Sequence, residues 1–148
     1  MRVKFLLPGI GPLSINQVYY GNRAHGWTKE AKDWSYQLMY QISQHEAQIK
    51  MIRDFFDPKR HGLELRIVIY FEDFIKSGGG ISSRTQDIDN VLKPLIDILF
   101  NKKFHGTSVP YTCQNFNIDD KYIIDIHASK RHGAKAIEVE VAVVPLPS

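Results

Sequence analysis

The chain reads as an α+β protein built on a mixed β-sheet, in the order strand, helix, strand, helix, strand, strand. Short segments of alternating or uniformly apolar residues open and close it. Two segments between them repeat their apolar residues at helical spacing, and Gly/Pro-rich connections separate the two kinds. At 148 residues the chain suits one compact domain, 1–148, long enough to bury a hydrophobic core and too short for two ordinary ones.

Arg2 to Leu7 is expected as the first strand, and Pro8 to Ser14, which contains Gly9, Gly11 and Pro12, as a connection that continues no regular structure. The spacing of Trp34, Leu38, Ile42 and Ile49 predicts one long helix over Thr28 to Arg53 with Thr28 as its N-cap. Asp57-Pro58 and His61-Gly62 punctuate a loop, after which Leu63 to Phe71 alternates and then turns uniformly apolar, as a partly central strand does. Ser77 to Gln86, with Gly78, Gly79 and Gly80, predicts a mobile loop. From Asn90 to Phe100 the residues Leu92, Leu95, Ile96 and Leu99 form one apolar stripe and predict the second helix, which Pro94 delays or bends because it lacks a backbone donor. After a long loop from Asn101 to Asn117, Lys121 to His127 and Glu138 to Val144 alternate in strand fashion. Arg131-His132-Gly133 would turn between them, and a terminal hairpin is expected.

Hydrophobic residues make up 43% and charged residues 24%, which excludes a disordered chain. The single cysteine, Cys113, excludes a disulfide framework and a cysteine-rich zinc site, and fits a reducing, cytoplasmic setting. The opening apolar run is broken by Pro8 and Gly9 too early for a signal peptide, and no apolar run reaches the roughly 18 residues of a membrane span. A formal charge of +3 permits a nucleic-acid partner without demanding one.

Chemistry concentrates in Gln86-Asp87-Ile88-Asp89-Asn90-Val91-Leu92-Lys93-Pro94-Leu95-Ile96-Asp97. Asp87 and Asp89 stand two apart before an otherwise apolar helix, a spacing that aims both the same way in an extended segment. If the helix includes Asp89, residues 89, 93 and 97 share one face, bringing the Lys93 ammonium to the carboxylates. Asp119 and Asp120 set a second acidic pair at the mouth of a strand. Such all-oxygen clusters suit Mg²⁺, which is commonly held by one or two carboxylates together with substrate phosphate. In phosphodiester hydrolysis the metal activates water, while a lysine stabilises charge on the phosphate or the leaving oxygen. The six histidines show no ligand spacing and are assigned to no metal. Each residue also has a plain structural reading: Asp89 as an N-cap, Asp119-Asp120 as a solvated turn, Lys93 as a surface lysine. Only the conjunction of both motifs with Lys93 raises the case above a generic acidic surface.

The run Asp87-Ile88-Asp89-Asn90-Val91-Leu92-Lys93, followed by Asp97 and by Asp119-Asp120 before a strand, resembles the signature of RusA-type Holliday junction endonucleases. Gly11-Pro12-Leu13-Ser14-Ile15-Asn16-Gln17-Val18-Tyr19-Tyr20 is similar to the segment that follows the first strand in that family. The resemblance implies metal-site acids at Asp87, Asp89 and Asp120 and a catalytic lysine at Lys93. It further implies dependence on Mg²⁺, a homodimer, and four-way or other branched DNA as substrate in recombination and repair, and the all-oxygen ligand set admits Mn²⁺ as a substitute. Arg84, Lys102, Lys103 and His105 are candidate phosphate contacts on loops that would close on DNA, against the commoner reading of basic loop residues as simply solvated. Tyr19, Tyr20 and Trp27 are more at home in the core than stacked on bases. The long 101–117 loop and the sparsely basic segment before Asp87 depart from the family's compact members. The competing readings are a catalytically silent branched-DNA-binding protein, which gains nothing electrostatically from clustered carboxylates, and a structural calcium site, for which the EF-hand ligand spacing is missing.

Overall fold

A computed structural model describes residues 1–13, 28–82, 87–100 and 115–147. Arg84, Lys102, Lys103 and His105, as well as Tyr19, Tyr20, Trp27 and Cys113, lie outside the described residues. The fold is α+β: β1 (Arg2–Pro8), α1 (Lys29–Ser43), α2 (Glu46–Phe55), β2 (His61–Phe71), α3 (Ile88–Phe100), a 3-10 turn (Asp120–Tyr122), β3 (Ile123–His132) and β4 (Ala136–Pro145).

The four strands form one mixed sheet in the order β1-β4-β2-β3, with β1 and β2 antiparallel to β4 and β3 parallel to β2. Alternation along each strand sends Val3, Phe5 and Leu7, Leu63, Leu65, Ile67 and Ile69, and Ile137, Val139, Val141 and Val143 to one face. There they share a core with Leu38, Ile42, Ile49, Ile52, Leu95 and Leu99 of the helices. The other face is polar, and Arg2 ties three strands across it through Glu140 at 2.6 Å and Glu64 at 3.8 Å. As its apolar run predicts, β2 is central, flanked by β4 and β3.

The single helix expected over Thr28 to Arg53 is two. Thr28 caps α1 as expected, its hydroxyl accepting from Ala31 N at 3.1 Å. The break at Gln44-His45 follows from tightened bonds, Gln44 N to Gln41 O at 3.1 Å and His45 N to Ile42 O at 2.9 Å, with Ser43 Oγ donating back to Tyr40 O. Tertiary contact fixes it there, since the His45 ring stacks on Phe5 with centroids 4.6 Å apart. The predicted stripe nevertheless holds across the break: Leu38, Ile42 and Ile49 are fully buried, and Trp34 donates its indole N–H to Gly11 O.

The expected terminal hairpin does not form, because β2 lies between β3 and β4. β3 pairs parallel to β2, an arrangement that requires a crossover, and α3 supplies it. β3 then runs on through Arg131 and His132, where a turn was expected, and the link at residues 133–135 passes over the end of β2. Gly133 N donates to Phe71 O at 3.1 Å, and a Cβ on Gly133 would stand 3.2 Å from the Tyr70 ring, so the close crossing favours glycine. The glycines after β2 serve a tight, bonded turn in which Ile75 bridges Ile81 and Lys76 N donates to Gly80 O, with positive φ at Gly79 and Gly80. Among the described residues no helix is long and apolar enough to cross a membrane.

Candidate functional site

α3 begins at Ile88, two residues before the expected Asn90, and runs unbroken through Pro94 to Phe100. The position before the first helical residue, where a cap stands, therefore falls to Asp87, and Asp89 lies inside the first turn. The extended-segment argument for a common direction of the two carboxylates does not apply, since the alternation of a strand ends where the helix starts. Both residues remain exposed, and the Asp89 carboxylate accepts from Asn90 N at 3.0 Å. Negative charge in the first turn is favoured by the helix dipole, so the helix tolerates Asp89 at no cost.

One turn on, Lys93 Nζ stands 3.6 Å from Asp97 Oδ2, as helical spacing predicts. The surroundings of the pair are unequal: the Lys93 side chain is 58% exposed, while that of Asp97 is 11% exposed. Asp97 thus belongs to the buried face of α3 with Val91, Pro94, Leu95, Ile98 and Leu99, and a buried carboxylate requires partners. Leu92 and Ile96, expected in the stripe with Leu95 and Leu99, are only partly buried at its margin. Pro94 is fully accommodated on the buried side, so the missing N–H costs one backbone bond without ending the helix.

The second acidic motif is held against α3 by residues that the sequence reading passed over. Asn115 is buried and donates Nδ2–H to Ile98 O at 2.9 Å, and Phe116 N donates to Leu99 O at 2.9 Å, so two carbonyls from the last turn of α3 are satisfied. Asn115 Oδ1 accepts from Asn117 N, its carbonyl accepts from Arg53 Nη1 at 2.6 Å, and Asn117 adopts φ of 50°, a conformation asparagine tolerates better than most residues. The Phe116 ring stacks between Phe100 at 5.0 Å and Phe5 at 6.3 Å. The signal available in the sequence was the Asn-x-Asn flanking an apolar residue, a turn former around an anchor.

That anchor leads directly into Asp119 and Asp120. Asp119 caps the 3-10 turn, its Oδ1 accepting from Lys121 N at 2.9 Å, whereas Asp120 is exposed on the turn itself. The turn packs beside α3. The structural reading therefore accounts for Asp119 and leaves Asp120 as the exposed carboxylate of the pair, one that accepts no hydrogen bond among the described residues. Among the described residues, no three His, Cys, Asp or Glu side chains are gathered closely enough to hold a metal ion. The donors at hand on α3 and the turn are carboxylate oxygens, the type that Mg²⁺ or Mn²⁺ takes.

A scan against protein-family models gives no match, and a comparison with curated proteins gives none either.

Proposed function

We propose that the chain is a divalent-metal-dependent DNA endonuclease acting on branched DNA, with four-way junctions as the leading substrate and a homodimer as the working form. The observation that carries the reading is the packing of α3, with Asp89 and Lys93 exposed on successive turns, beside the 3-10 turn that exposes Asp120. Asp87, Asp89 and Asp120, which the described structure does not bring within reach of one ion, would have to converge to hold Mg²⁺ or Mn²⁺, which would lower the pKa of a coordinated water and neutralise developing charge. Lys93 presents a positive charge to the phosphate, and Asp97 restrains that ammonium from the buried side. Helix stability does not explain the pair, since lysine N-terminal to the acid is the weaker i,i+4 order and gains a few tenths of a kcal/mol at most. The resemblance of the Asp87–Lys93 run to RusA-type endonucleases points to the same chemistry. Arg84, Lys102, Lys103 and His105 are the proposed phosphate contacts, by sequence alone.

The test is incubation of purified protein with four-way junction, flap and linear duplex DNA, with Mg²⁺, with Mn²⁺, with Ca²⁺ and in excess EDTA. Paired nicks in branched DNA with Mg²⁺ or Mn²⁺, binding without turnover in Ca²⁺, and no cleavage in EDTA are expected. Full activity in EDTA overturns the mechanism. Junction binding with no cleavage in any metal identifies a silent branched-DNA-binding protein instead.

A further inference from the structure

The two edges of the sheet are treated differently. Along β1, the helix pair places three side chains at i, i+4 and i+7 over the strand. Gln41 Nε2 donates to Pro8 O at 3.0 Å, His45 Nε2 to Leu6 O at 3.1 Å and Gln48 Nε2 to Lys4 O at 3.3 Å. Alternate carbonyls of that edge are thus occupied, and Pro8 closes its end, devices that keep a strand edge from pairing with another chain. β3, the opposite edge, spans ten residues, and among the described residues no further strand pairs with it. Residues 124–127 are exposed in succession, including Ile124 at 51% and Ile126 at 44%. An edge strand of this length with exposed isoleucines is a template for strand addition.

The sequence of β3 says which strand fits. Asp125, His127, Ser129 and Arg131 stand opposite Glu64, Arg66, Val68 and Tyr70 and so share the polar face of the sheet. Two copies of β3 paired antiparallel about Ala128 set Asp125 of one against Arg131 of the other, twice, with His127 against Ser129 and Ala128 against itself. Opposite charges lie at equal distances from the centre, so the strand is complementary to its own antiparallel copy, which is the condition an isologous two-fold interface imposes.

We propose that the outer edge of β3 is the docking site for a second copy of this chain, β3 pairing antiparallel with the partner's β3 about a two-fold axis at Ala128 and joining two four-stranded sheets into one. The inference deepens the nuclease reading by naming the homodimer's contact edge, and rests on that reading only for why a pair is useful.

Light scattering and a disulfide trap test it. At the axis the two Ala128 Cα atoms would lie about 4.5 to 5.5 Å apart, within the range a disulfide spans. In a Cys113→Ser background, Ala128→Cys is expected to cross-link the dimer under mild oxidation, and Lys4→Cys on the sealed edge is not. Arg131→Asp sets like charges opposite each other at two places and is expected to raise the dimer Kd roughly tenfold or more, and Asp125→Arg added to it is expected to restore pairing. Circular dichroism establishes that each variant is folded. A monomer at concentrations up to roughly 100 µM overturns the proposal. A dimer that Ala128→Cys does not trap overturns the docking edge while leaving a two-fold nuclease standing. A trapped dimer that cuts no branched DNA overturns the nuclease reading and leaves the edge.

Discussion

At the scale of single residues, Lys93 and Asp97 form one ion pair of unequal exposure, and under the proposed function the buried carboxylate restrains the exposed ammonium that meets the phosphate. Lys93→Ala removes an exposed side chain, so the fold is expected to survive. Under the proposed function, single-turnover cleavage falls about 10² to 10³-fold, as for other fixed donors to a developing negative charge. Rates equal to wild type under saturating DNA would make Lys93 an ordinary surface lysine. Asp120→Asn keeps side-chain size and, under the proposed function, removes one charge from a surface that accepts both a cation and a polyanion. Junction affinity without metal is expected to hold or rise modestly, because one source of repulsion toward phosphate is gone. Cleavage is expected to fall steeply, an amide being a poorer Mg²⁺ ligand. Gel-shift titration beside single-turnover cleavage separates these. A folded variant that cuts at near wild-type rate removes Asp120 from the site, and parallel loss of both assigns it to DNA contact or structure. Asp119 is the informative control, since its carboxylate already caps the 3-10 turn.

At the scale of elements, the turn from α2 into β2 is organised by Asp57. Its carboxylate accepts from Lys59 N and from Arg60 Nε, each at 3.0 Å, and its own N–H donates to His61 Nδ1 at 2.9 Å. The Lys59 backbone bond chiefly, with the Arg60 side-chain bond and charge adding to it against the cost of burial, holds the Asp57 carboxyl below the usual aspartate range. A carboxyl depressed by folding contributes stability above its unfolded pKa and loses it as pH falls through the folded value. Asp57→Ala is therefore expected to lower Tm near neutral pH and to converge on wild type in acid, below the ordinary aspartate range. A Tm difference that stays constant with pH would assign Asp57 no ionic role. The same scale explains the split helix: the apolar stripe is continuous through Ile42 and Ile49, so periodicity cannot register a break that leaves the stripe in phase. Backbone tightening and the Phe5–His45 stack are what divide it.

At the scale of the whole molecule, Phe116 joins three parts of the chain. It lies fully buried between Phe5 of β1 and Phe100 of α3, and its backbone bond to Leu99 delivers the chain to Asp119 and Asp120. Phe116→Ala is expected to cost about 3 to 5 kcal/mol, the usual range for emptying a phenylalanine site in a packed core. Denaturant unfolding measures it, and a loss under about 1 kcal/mol would mean the core closes over the cavity. Because the acidic turn follows the anchor directly, activity under the proposed function is expected to fall in the folded variant even though no reacting group is changed.

The sequence by itself determined the α+β class, the existence of the four strands, most of the buried stripe of the helices and the Lys93–Asp97 pair. All of these are recorded as periodicities of two or of three to four residues along one segment. It also held the acidic motifs, Asp87 and Asp89 together with Asp120, in plain view. Tertiary structure alone decided which strands are neighbours. Alternation in β3 and β4 says that each has a buried face, but not that β2 lies between them, because a strand's partner is chosen by the crossover through α3. It decided likewise that Asp87 rather than Asp89 precedes the helix, that Asp97 is buried, and that Asn115 and Phe116 bring the second acidic motif to α3. These are long-range bonds between backbone groups and side chains far apart in the chain, and no local spacing encodes them.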